Sequence, residues 1–332
     1  MHHQELTTEQ KAGQRLMVGF EGARFNSDLK FLIGTLNVGG IILFSQNIVD
    51  PGQACDLCHE AQAWAESCGQ PPLLIAVDQE GGKVARLKAP FTEFPGNSHM
   101  RSIEDATRFA EITSRELASI GINMDMAPVL DVALPGPEGI MKNRAFGDDH
   151  TWVTKLGMTI IKGLQDRGIM AVAKHFPGIG KTRLDSHHDL PFLDASLELL
   201  EKIDFLPFET AIFQGVAGIM LSHICYQQLD EKWPASLSVK IARGLLRERM
   251  DYQGVVITDD LDMGAVTKHF EISTMIHRIL AAEIDIALIC HKGPAIEVAF
   301  EETLRSITDD TGAKAANERS LSRIMQLKAE YL

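Results

Sequence analysis

Eight short apolar runs, separated by amphipathic stretches, constrain the fold of this chain more than any other feature. Most of the runs are continuously apolar rather than alternating, which is typical of parallel strands covered on both faces. They occupy residues 15–22, 39–47, 72–80, 121–132, 169–176, 218–224, 254–261 and 285–290. Eight alternating strand and helix units in 332 residues favour a TIM-type barrel over an open doubly wound sheet. We therefore predict an α/β fold, a single (β/α)8 barrel domain spanning residues 1–332.

The stretches between the runs carry helix patterns. Thr7 and Gln10 stand in the order of a capping box, in which the hydroxyl accepts an N–H of the first helical turn and the glutamine reaches back. Apolar side chains recur at helical spacing over residues 196–215 and 238–250. We therefore expect helices to cover the outside of the barrel.

Net charge and cysteine usage exclude some partners. The net charge of −13 disfavours nucleic acids and anionic membrane surfaces, because both are negatively charged. No apolar run approaches the ~20 residues of a membrane span, and residues 1–14 show no signal-peptide pattern. An odd number of cysteines, five, indicates free thiols in a reducing compartment. We expect a cytoplasmic protein with no nucleic-acid or membrane partner.

Polar residues gather at the carboxyl ends of the apolar runs. They are Asn47, Asp78, Asp131, Lys174, His175, His223, Asp259 and Asp260. The start of a solvated loop would explain each one singly, but it explains poorly why several strands behave alike. In a TIM barrel these strand ends form the rim of the active site.

The segment 180–182, Gly-Lys-Thr, resembles the end of a phosphate-binding loop. Such a loop needs a glycine five positions before Gly180, and that position holds His175. Pro177 lies inside the loop and cannot donate an N–H to phosphate. Residues 181–191 are polar and end in proline, which indicates a loop rather than a helix. We therefore reject a nucleotide-binding site.

Two carboxylate patterns near these strand ends carry chemistry. Asp185 and His187 lie two residues apart, and a carboxylate there can hold an imidazole in one tautomer and raise its basicity. An isolated Asp-Ser-His sequence would more often be a polar turn. The run 254–261 leads into Asp259 and Asp260, of which only one should face the pocket because side chains alternate along a strand. A strand-end carboxylate with a proton donor across the site is the arrangement needed for covalent glycoside hydrolysis.

Metal sites are only weakly indicated. Cys55 and Cys58 have the spacing of half a zinc site, but no second pair exists and the surrounding residues 50–65 have a helix pattern. His188 could be a metal ligand. A metal-dependent amidohydrolase barrel would, however, carry a His-x-His pair at the end of its first strand, and residues 15–22 contain no histidine.

These motifs together resemble glycoside hydrolase family 3, of the bacterial β-N-acetylglucosaminidase type. The resemblance covers nearly the whole chain, from "LTTEQKAGQRLMVGFEG" through "AVDQEGGKVARL" and "NRAFGDD" to "GVVITDDLDMGAV". The combination of "KHFPG", "DSH" and "TDDL" is specific, and "DSH" marks the N-acetylglucosaminidase branch. The resemblance implies that the barrel is a catalytic domain of the family's N-terminal type.

The resemblance also implies roles for individual residues. Asp259, the first Asp of "TDDL", would be the nucleophile, and His187 would be the general acid/base with Asp185 as its partner. The sugar in the −1 subsite would be bound by Asp78, Arg86, Arg144, Lys174 and His175. No metal and no organic cofactor would be required.

Two stretches depart from the family pattern. The loop that usually reads "PGHGDT" reads "PGIGKT" here, with Ile179 and Lys181. The later strand usually begins "AGAD" and begins "AAEID" here. The first departure could change how the catalytic loop docks or what occupies the leaving-group side, whereas neither touches a residue with an assigned role. An inactive relative stays open as an alternative.

The implied substrate is terminal β-linked N-acetylglucosamine on a small carbohydrate or muropeptide from peptidoglycan recycling. One alternative is another retaining β-glycosidase for glucose- or xylose-type sugars. Family β-glucosidases take their acid/base carboxylate from a second domain, for which 332 residues leave no room. The other alternative is a non-catalytic sugar-binding barrel, which the presence of Asp259, Asp185 and His187 disfavours.

Overall fold

Eight parallel strands form a closed barrel in the computed structural model, which describes residues 5–134, 139–182, 184, 186, 189–309 and 311–332. The strands are β1 Leu16–Val18, β2 Gly40–Leu43, β3 Leu74–Val77, β4 Met124–Asp125, β5 Met170–Phe176, β6 Gly218–Leu221, β7 Val255–Thr258 and β8 Ala287–Ile289. Each strand pairs with its neighbour in chain order, and β8 returns to β1. A parallel bridge between Ile257 and Ile286 joins β7 to β8 and closes the ring. The predicted (β/α)8 barrel is confirmed.

The continuous apolar character of the runs follows from burial on both faces. In β3, Leu74 and Ala76 point into the barrel, where they belong to an interior cluster. Ile75 and Val77 belong to the larger cluster between the strands and the helices. All four residues are fully buried, so neither face of the strand could be polar.

Helices surround the barrel. The α-helices are Thr8–Gly13, Ser27–Gly34, Pro51–Ser67, Ile103–Ser119, His150–Gln165, Leu197–Leu199, Phe205–Phe213, Gly264–Thr267, Ile272–Ala281, Pro294–Asp309 and Thr311–Tyr331. The described residues also contain the π-helical segments Leu200–Asp204 and Lys240–Arg249 and the 3₁₀ turns Ser45–Asn47, Asn97–His99 and Ala235–Leu237. Short strands outside the barrel pair Gln79–Gly81 with Val84–Ala85, antiparallel, and Phe192–Leu193 with Cys225–Tyr226.

The predicted capping box is present. The Thr7 hydroxyl accepts the Gln10 N–H at 3.2 Å, and Gln10 Oε1 accepts the Thr7 N–H at 3.0 Å. The pattern over 196–215 does not form one regular helix, because Pro207 has no N–H to donate four residues back to Ile203. The chain widens into the π-helical segment Leu200–Asp204 just before this proline.

Among the described residues, no helix combines the length and apolar character needed to cross a bilayer.

The last helix, Thr311–Tyr331, closes the amino end of the barrel and buries a lysine there. Lys328 Nζ donates to Gln14 Oε1 at 2.6 Å and to the Gly39 carbonyl at 2.9 Å. Burial lowers the pKa of Lys328 to about 7. The folded protein therefore holds this amine with a weakened affinity for its proton.

This lysine should make stability depend on pH. Between pH 7 and pH 9 the unfolded chain keeps the proton of Lys328 while the folded protein releases it, so the free energy of unfolding should rise with pH. At 1.36 kcal/mol per pH unit, we expect the rise to exceed that of Lys328→Met by about 2 kcal/mol. Urea unfolding of both proteins at the two pH values measures this difference. Parallel pH dependence in the two proteins would contradict the prediction.

Candidate active site

A cavity of about 350 Å³ lies at the carboxyl ends of the strands. Its floor includes Ile42, Met220 and Leu288, which also pack in the barrel interior. Its charged and polar wall contains Asp78, Lys83, Arg86, Arg144, Lys174, His175, Asp259 and Asp260. All six described residues that the sequence assigns to the site therefore lie on one cavity.

Two carboxylates and three cations form an ion-pair network on one side of this cavity. Lys174 lies between Asp78 and Glu80, with Nζ–O distances of 2.8 Å and 2.7 Å. Arg86 pairs with Asp78 at 2.9 Å. Arg144 binds both oxygens of Glu80, at 3.0 Å through Nε and 2.6 Å through Nη2. Every member contacts an opposite charge, so the side chains are held in fixed positions.

The network stays ionised at neutral pH. Burial alone would raise the pKa of Glu80, but the charges of Lys174 and Arg144 outweigh it and lower this pKa to about 2. Burial alone would lower the pKa of Lys174, but Asp78 and Glu80 raise it above its usual range. The pKa of Asp78 is lowered by Lys174 and Arg86 against the effect of burial. At neutral pH the cavity therefore has a charged wall of fixed donors and acceptors.

His175 is oriented by a buried carboxylate, Asp131. His175 Nδ1 lies 2.7 Å from Asp131 Oδ2, and a carboxylate can only accept, so Nδ1 carries the proton. Nε2 then points towards Arg144 Nη2, at 3.4 Å. Asp131 also accepts the Ile179 N–H at 2.8 Å. This carboxylate therefore ties the end of β5 to the loop that follows it.

Asp259 and Asp260 both line the cavity, but their carboxylates have different partners. Asp259 Oδ1 accepts the Asp260 N–H at 2.9 Å, and no residue in the described part of the chain donates to its Oδ2. Asp260 Oδ1 accepts the N–H groups of Asp262 and Cys290, both at 3.0 Å. Burial and the charges of Asp262 and Asp259 raise the pKa of Asp260 to about 6. Asp260 thus holds the loop, and Asp259 is the more available carboxylate.

Asp185, His187 and His188 lie outside the described residues. Ser186, between the first two, lines the cavity, and its carbonyl accepts the Ala265 N–H at 3.0 Å. His223 does not line the cavity. It is buried, with Nδ1 2.6 Å from Ser236 Oγ and Nε2 2.8 Å from the Asp260 carbonyl.

Lys181 does not belong to a phosphate-binding loop. It pairs with Asp204, a buried carboxylate. The described residues from Gly178 to Leu190 form turns and bends rather than a helix, as the sequence predicts.

A small acidic cluster lies beside the cavity. Asp260, Asp262 and His291 offer ligand atoms within 4.8 Å of one another. Each carboxylate already accepts a backbone N–H, from Cys290 in one case and from His291 in the other. His291 is exposed, and the two carboxylates are accounted for as hydrogen-bond acceptors between the loops that follow β7 and β8.

Glu80 and Asp131 are site residues to which the sequence analysis gives no role. Glu80 follows Asp78 by two residues inside a buried segment, and Asp131 ends an apolar run. A buried carboxylate needs a cation or several hydrogen-bond donors. The acidic residues at positions 80 and 131 therefore indicated that such a partner must lie nearby in the fold. The partners themselves, Arg144 and His175, are 64 and 44 residues away along the chain.

The ion-pair network predicts a large stability effect at Lys174. Removing one partner of a buried pair costs about 3–5 kcal/mol, and Lys174→Met leaves both Asp78 and Glu80 short of a cation. We expect a loss of that size in the free energy of unfolding at pH 7. Lys88→Met is a matched control, because Lys88 pairs with Glu93 at 3.5 Å with both side chains half exposed, a pair expected to contribute at most about 1 kcal/mol. Chemical denaturation compares the two variants, and equal stability would refute the prediction.

Comparison with known proteins identifies relatives of the whole barrel. Residues 7–327 match the family model described as the glycosyl hydrolase family 3 N terminal domain. Beta-hexosaminidase A of Pseudoalteromonas piscicida is 34% identical, over 98% of this chain and 61% of that protein. A beta-hexosaminidase of Thioalkalivibrio sulfidiphilus is 35% identical, over 83% of this chain and 80% of that protein.

Solved structures show the same similarity. A glycoside hydrolase family 3 beta-N-acetylglucosaminidase from Paenibacillus sp. superposes with a TM-score of 0.93 at 36% identity, over 98% of this chain and 63% of that chain. A beta-N-acetylhexosaminidase from Beutenbergia cavernae superposes with a TM-score of 0.90 at 27% identity, over 98% and 99% of the two chains. The chain thus spans about three fifths of some relatives and nearly all of others.

Proposed function

The chain belongs to glycoside hydrolase family 3, and on that premise we propose that it is a retaining β-N-acetylglucosaminidase. It removes terminal β-linked N-acetylglucosamine through a covalent glycosyl–Asp259 intermediate. The observation that carries the proposal is the position of Asp259 on the cavity, with Oδ2 left without a donor among the described residues and a network of fixed charges on the same cavity. The whole chain acts as one catalytic barrel domain.

Asp259 acts as the nucleophile. Its Oδ2 attacks the anomeric carbon and forms a glycosyl ester while the bond to the leaving oxygen breaks. The Asp260 N–H, donated to Oδ1, keeps the carboxylate oriented during the attack. Water then attacks the same carbon and releases Asp259, so that two inversions leave the β-configuration unchanged.

His187 acts as the general acid/base, and Asp185 orients it. In the first step His187 protonates the leaving oxygen, and in the second it removes a proton from the attacking water. The support is the position of Ser186, which stands between them in the sequence and lines the cavity. Asp185 would hold the imidazole in one tautomer, as Asp131 holds His175.

Asp78, Arg86, Arg144, Lys174 and His175 bind the terminal sugar. Lys174 carries three N–H donors and spends two on Asp78 and Glu80, which leaves one for a hydroxyl. Asp78 holds its oxygens in place through Lys174 and Arg86 and can still accept from sugar hydroxyls through its remaining lone pairs. Because these groups are fixed before substrate arrives, their hydrogen bonds can strengthen as the ring distorts towards the transition state.

The substrate is a small N-acetylglucosamine-bearing carbohydrate or muropeptide released from peptidoglycan, met in the cytoplasm. The support is the family resemblance of "KHFPG", "DSH" and "TDDL" together with the N-acetylglucosaminidase relatives. No metal or organic cofactor is needed, because nucleophile, acid and base are all side chains of this chain.

A panel of chromogenic β-glycosides tests the proposal on the purified protein. We expect turnover of the N-acetyl-β-glucosaminide and little turnover of the β-glucoside and β-xyloside. A preference for glucose or xylose would favour a retaining β-glycosidase of another specificity. Binding of N-acetylglucosamine with no turnover of any glycoside would favour a sugar-binding barrel. Product configuration by NMR during the first turnovers checks retention.

A further inference from the structure

Lys181, one of the two residues that depart from the family loop pattern, has a buried partner. Lys181 Nζ contacts Asp204 Oδ2. The Asp204 side chain is completely buried and that of Lys181 is 16% exposed. Asp204 Oδ1 has no hydrogen-bond partner among the described residues. This carboxylate therefore depends on Lys181 for its main compensation.

Asp204 also packs directly on the loop that follows β5. Gly178 has φ of +123°, and a Cβ added there would lie 2.8 Å from the Asp204 Cβ. The Gly178 carbonyl accepts the Tyr226 hydroxyl at 2.9 Å. A Cβ on Gly180 would lie 1.8 Å from the Val132 carbonyl oxygen. The segment 178–181 is thus held closely between the π-helical turn and the chain that follows β4.

The same segment reaches the cavity through Ile179. Ile179 lines the cavity, and its N–H donates to Asp131, which orients His175. Burial raises the pKa of Asp204 to about 6, the charge of Lys181 opposes this, and the charge of Asp131 adds to it. Two buried carboxylates, Asp131 and Asp204, therefore lie near the loop that follows β5. Lys181, on that loop, supplies the positive charge that pairs with Asp204 on the π-helical turn.

We propose that Lys181 and Asp204 are positioning residues for the reaction, because their ion pair anchors the segment 178–181 and thereby sets Ile179, Asp131 and His175 in the cavity. The inference rests on the proposed function. Lys181 and Asp204 would act on the substrate only through other residues, because neither of them lines the cavity. Without the pair, the segment would relax away from Asp204, and the imidazole that faces the sugar would lose its fixed orientation.

The test compares Lys181→Met with two controls. Lys181→Arg keeps the charge. Lys202→Met removes a lysine two residues before Asp204 that forms an exposed pair with Glu198. We expect Lys181→Met to lower kcat on an N-acetylglucosamine disaccharide by about 10–100-fold, since small misplacement of a positioned group has effects of this size. KM should change less than about threefold, because the direct contacts to the sugar remain. Both controls should behave like the wild type.

A double variant tests whether the charge pair is responsible. Lys181→Met leaves Asp204 buried without a cation, whereas Lys181→Met/Asp204→Asn leaves no charge. We therefore expect the double variant to recover part of the lost kcat, by at least about threefold. A double variant that is as impaired as the single one, or more so, would overturn the ion-pair interpretation.

A second readout does not depend on activity. Amide exchange at residues 178–182 should be faster in Lys181→Met than in the wild type and in Lys202→Met, because the N–H groups of Ile179 and Thr182 would lose their fixed acceptors. If the wild type cleaves no N-acetylglucosaminide, the proposed function fails. The anchoring role is then decided by amide exchange alone, and equal exchange at residues 178–182 in Lys181→Met and the wild type would overturn it. If the wild type is active, an unchanged kcat in Lys181→Met overturns the proposal. A decrease in kcat that is fully explained by a smaller fraction of folded protein overturns it as well.

Discussion

Asp259→Ala should lower turnover of an N-acetyl-β-glucosaminide by ~10⁴-fold or more, which corresponds to roughly 5 kcal/mol of lost transition-state stabilisation. Alanine offers no oxygen to the anomeric carbon, so the covalent intermediate cannot form. The fold should be unaffected, because among the described residues only the Asp260 N–H donates to the Asp259 carboxylate, and the Asp259 main chain keeps its bond to the Leu221 carbonyl. Steady-state kinetics on a chromogenic substrate measures the loss.

Asp260→Asn is the matched variant. Its amide oxygen can still accept the Asp262 and Cys290 N–H groups that Asp260 Oδ1 accepts, so we expect a much smaller loss of turnover. Intact-mass analysis with a slow fluorinated glycoside should show one sugar adduct, and peptide mapping should place it on Asp259. An adduct on Asp260, or rapid turnover by Asp259→Ala, would reassign the nucleophile.

His187→Ala should give a loss that depends on the leaving group. A p-nitrophenolate departs with little protonation, so formation of the glycosyl-enzyme should be only mildly slowed with that substrate. A sugar alkoxide needs a proton, and we expect the disaccharide to lose ~10²–10⁴-fold. Azide needs no deprotonation before it attacks, so added azide should restore the second step with the aryl substrate and yield the β-glycosyl azide.

Asp185→Ala should show a weaker form of the same pattern, because Asp185 orients the imidazole without transferring the proton to the substrate. Equal losses on both substrates in His187→Ala, with no effect of azide, would remove His187 from the acid/base role. His188 would then be the next candidate. His223 is a poorer one, because both of its ring nitrogens already have partners.

The barrel could be predicted from the sequence because a strand that is buried on both faces must be apolar at every position. β3 shows this directly: Leu74 and Ile75 face opposite sides and both must be apolar. The positions of Asp78 and Lys174 could be predicted for a related reason. A charge at the end of a buried strand is tolerated only where it is solvated or paired, and all strand ends of a parallel barrel meet at one rim.

The pairing of these charges could not be read from the sequence, since it depends on contacts between distant segments. Lys174 contacts Glu80, which lies 94 residues earlier in the chain, and no local pattern links the two. Strand alternation does not apply to Asp259 and Asp260, because β7 ends at Thr258 and both residues lie beyond it. The partner of Lys181 was hidden in the same way, on a π-helical segment that only Pro207 hints at.

The ion-pair network has a consequence for how the specificity of this cavity could change. Within the network, Lys174 and Glu80 each contact two opposite charges, so a single replacement at either removes two buried ion pairs at once. Drift or directed evolution at these positions would therefore need paired exchanges, which arise rarely. Lys83 lines the cavity from an exposed turn, and none of the described residues forms an ion pair with it. A library that varies Lys83 should yield folded proteins with altered aglycone preference far more often than one that varies Lys174.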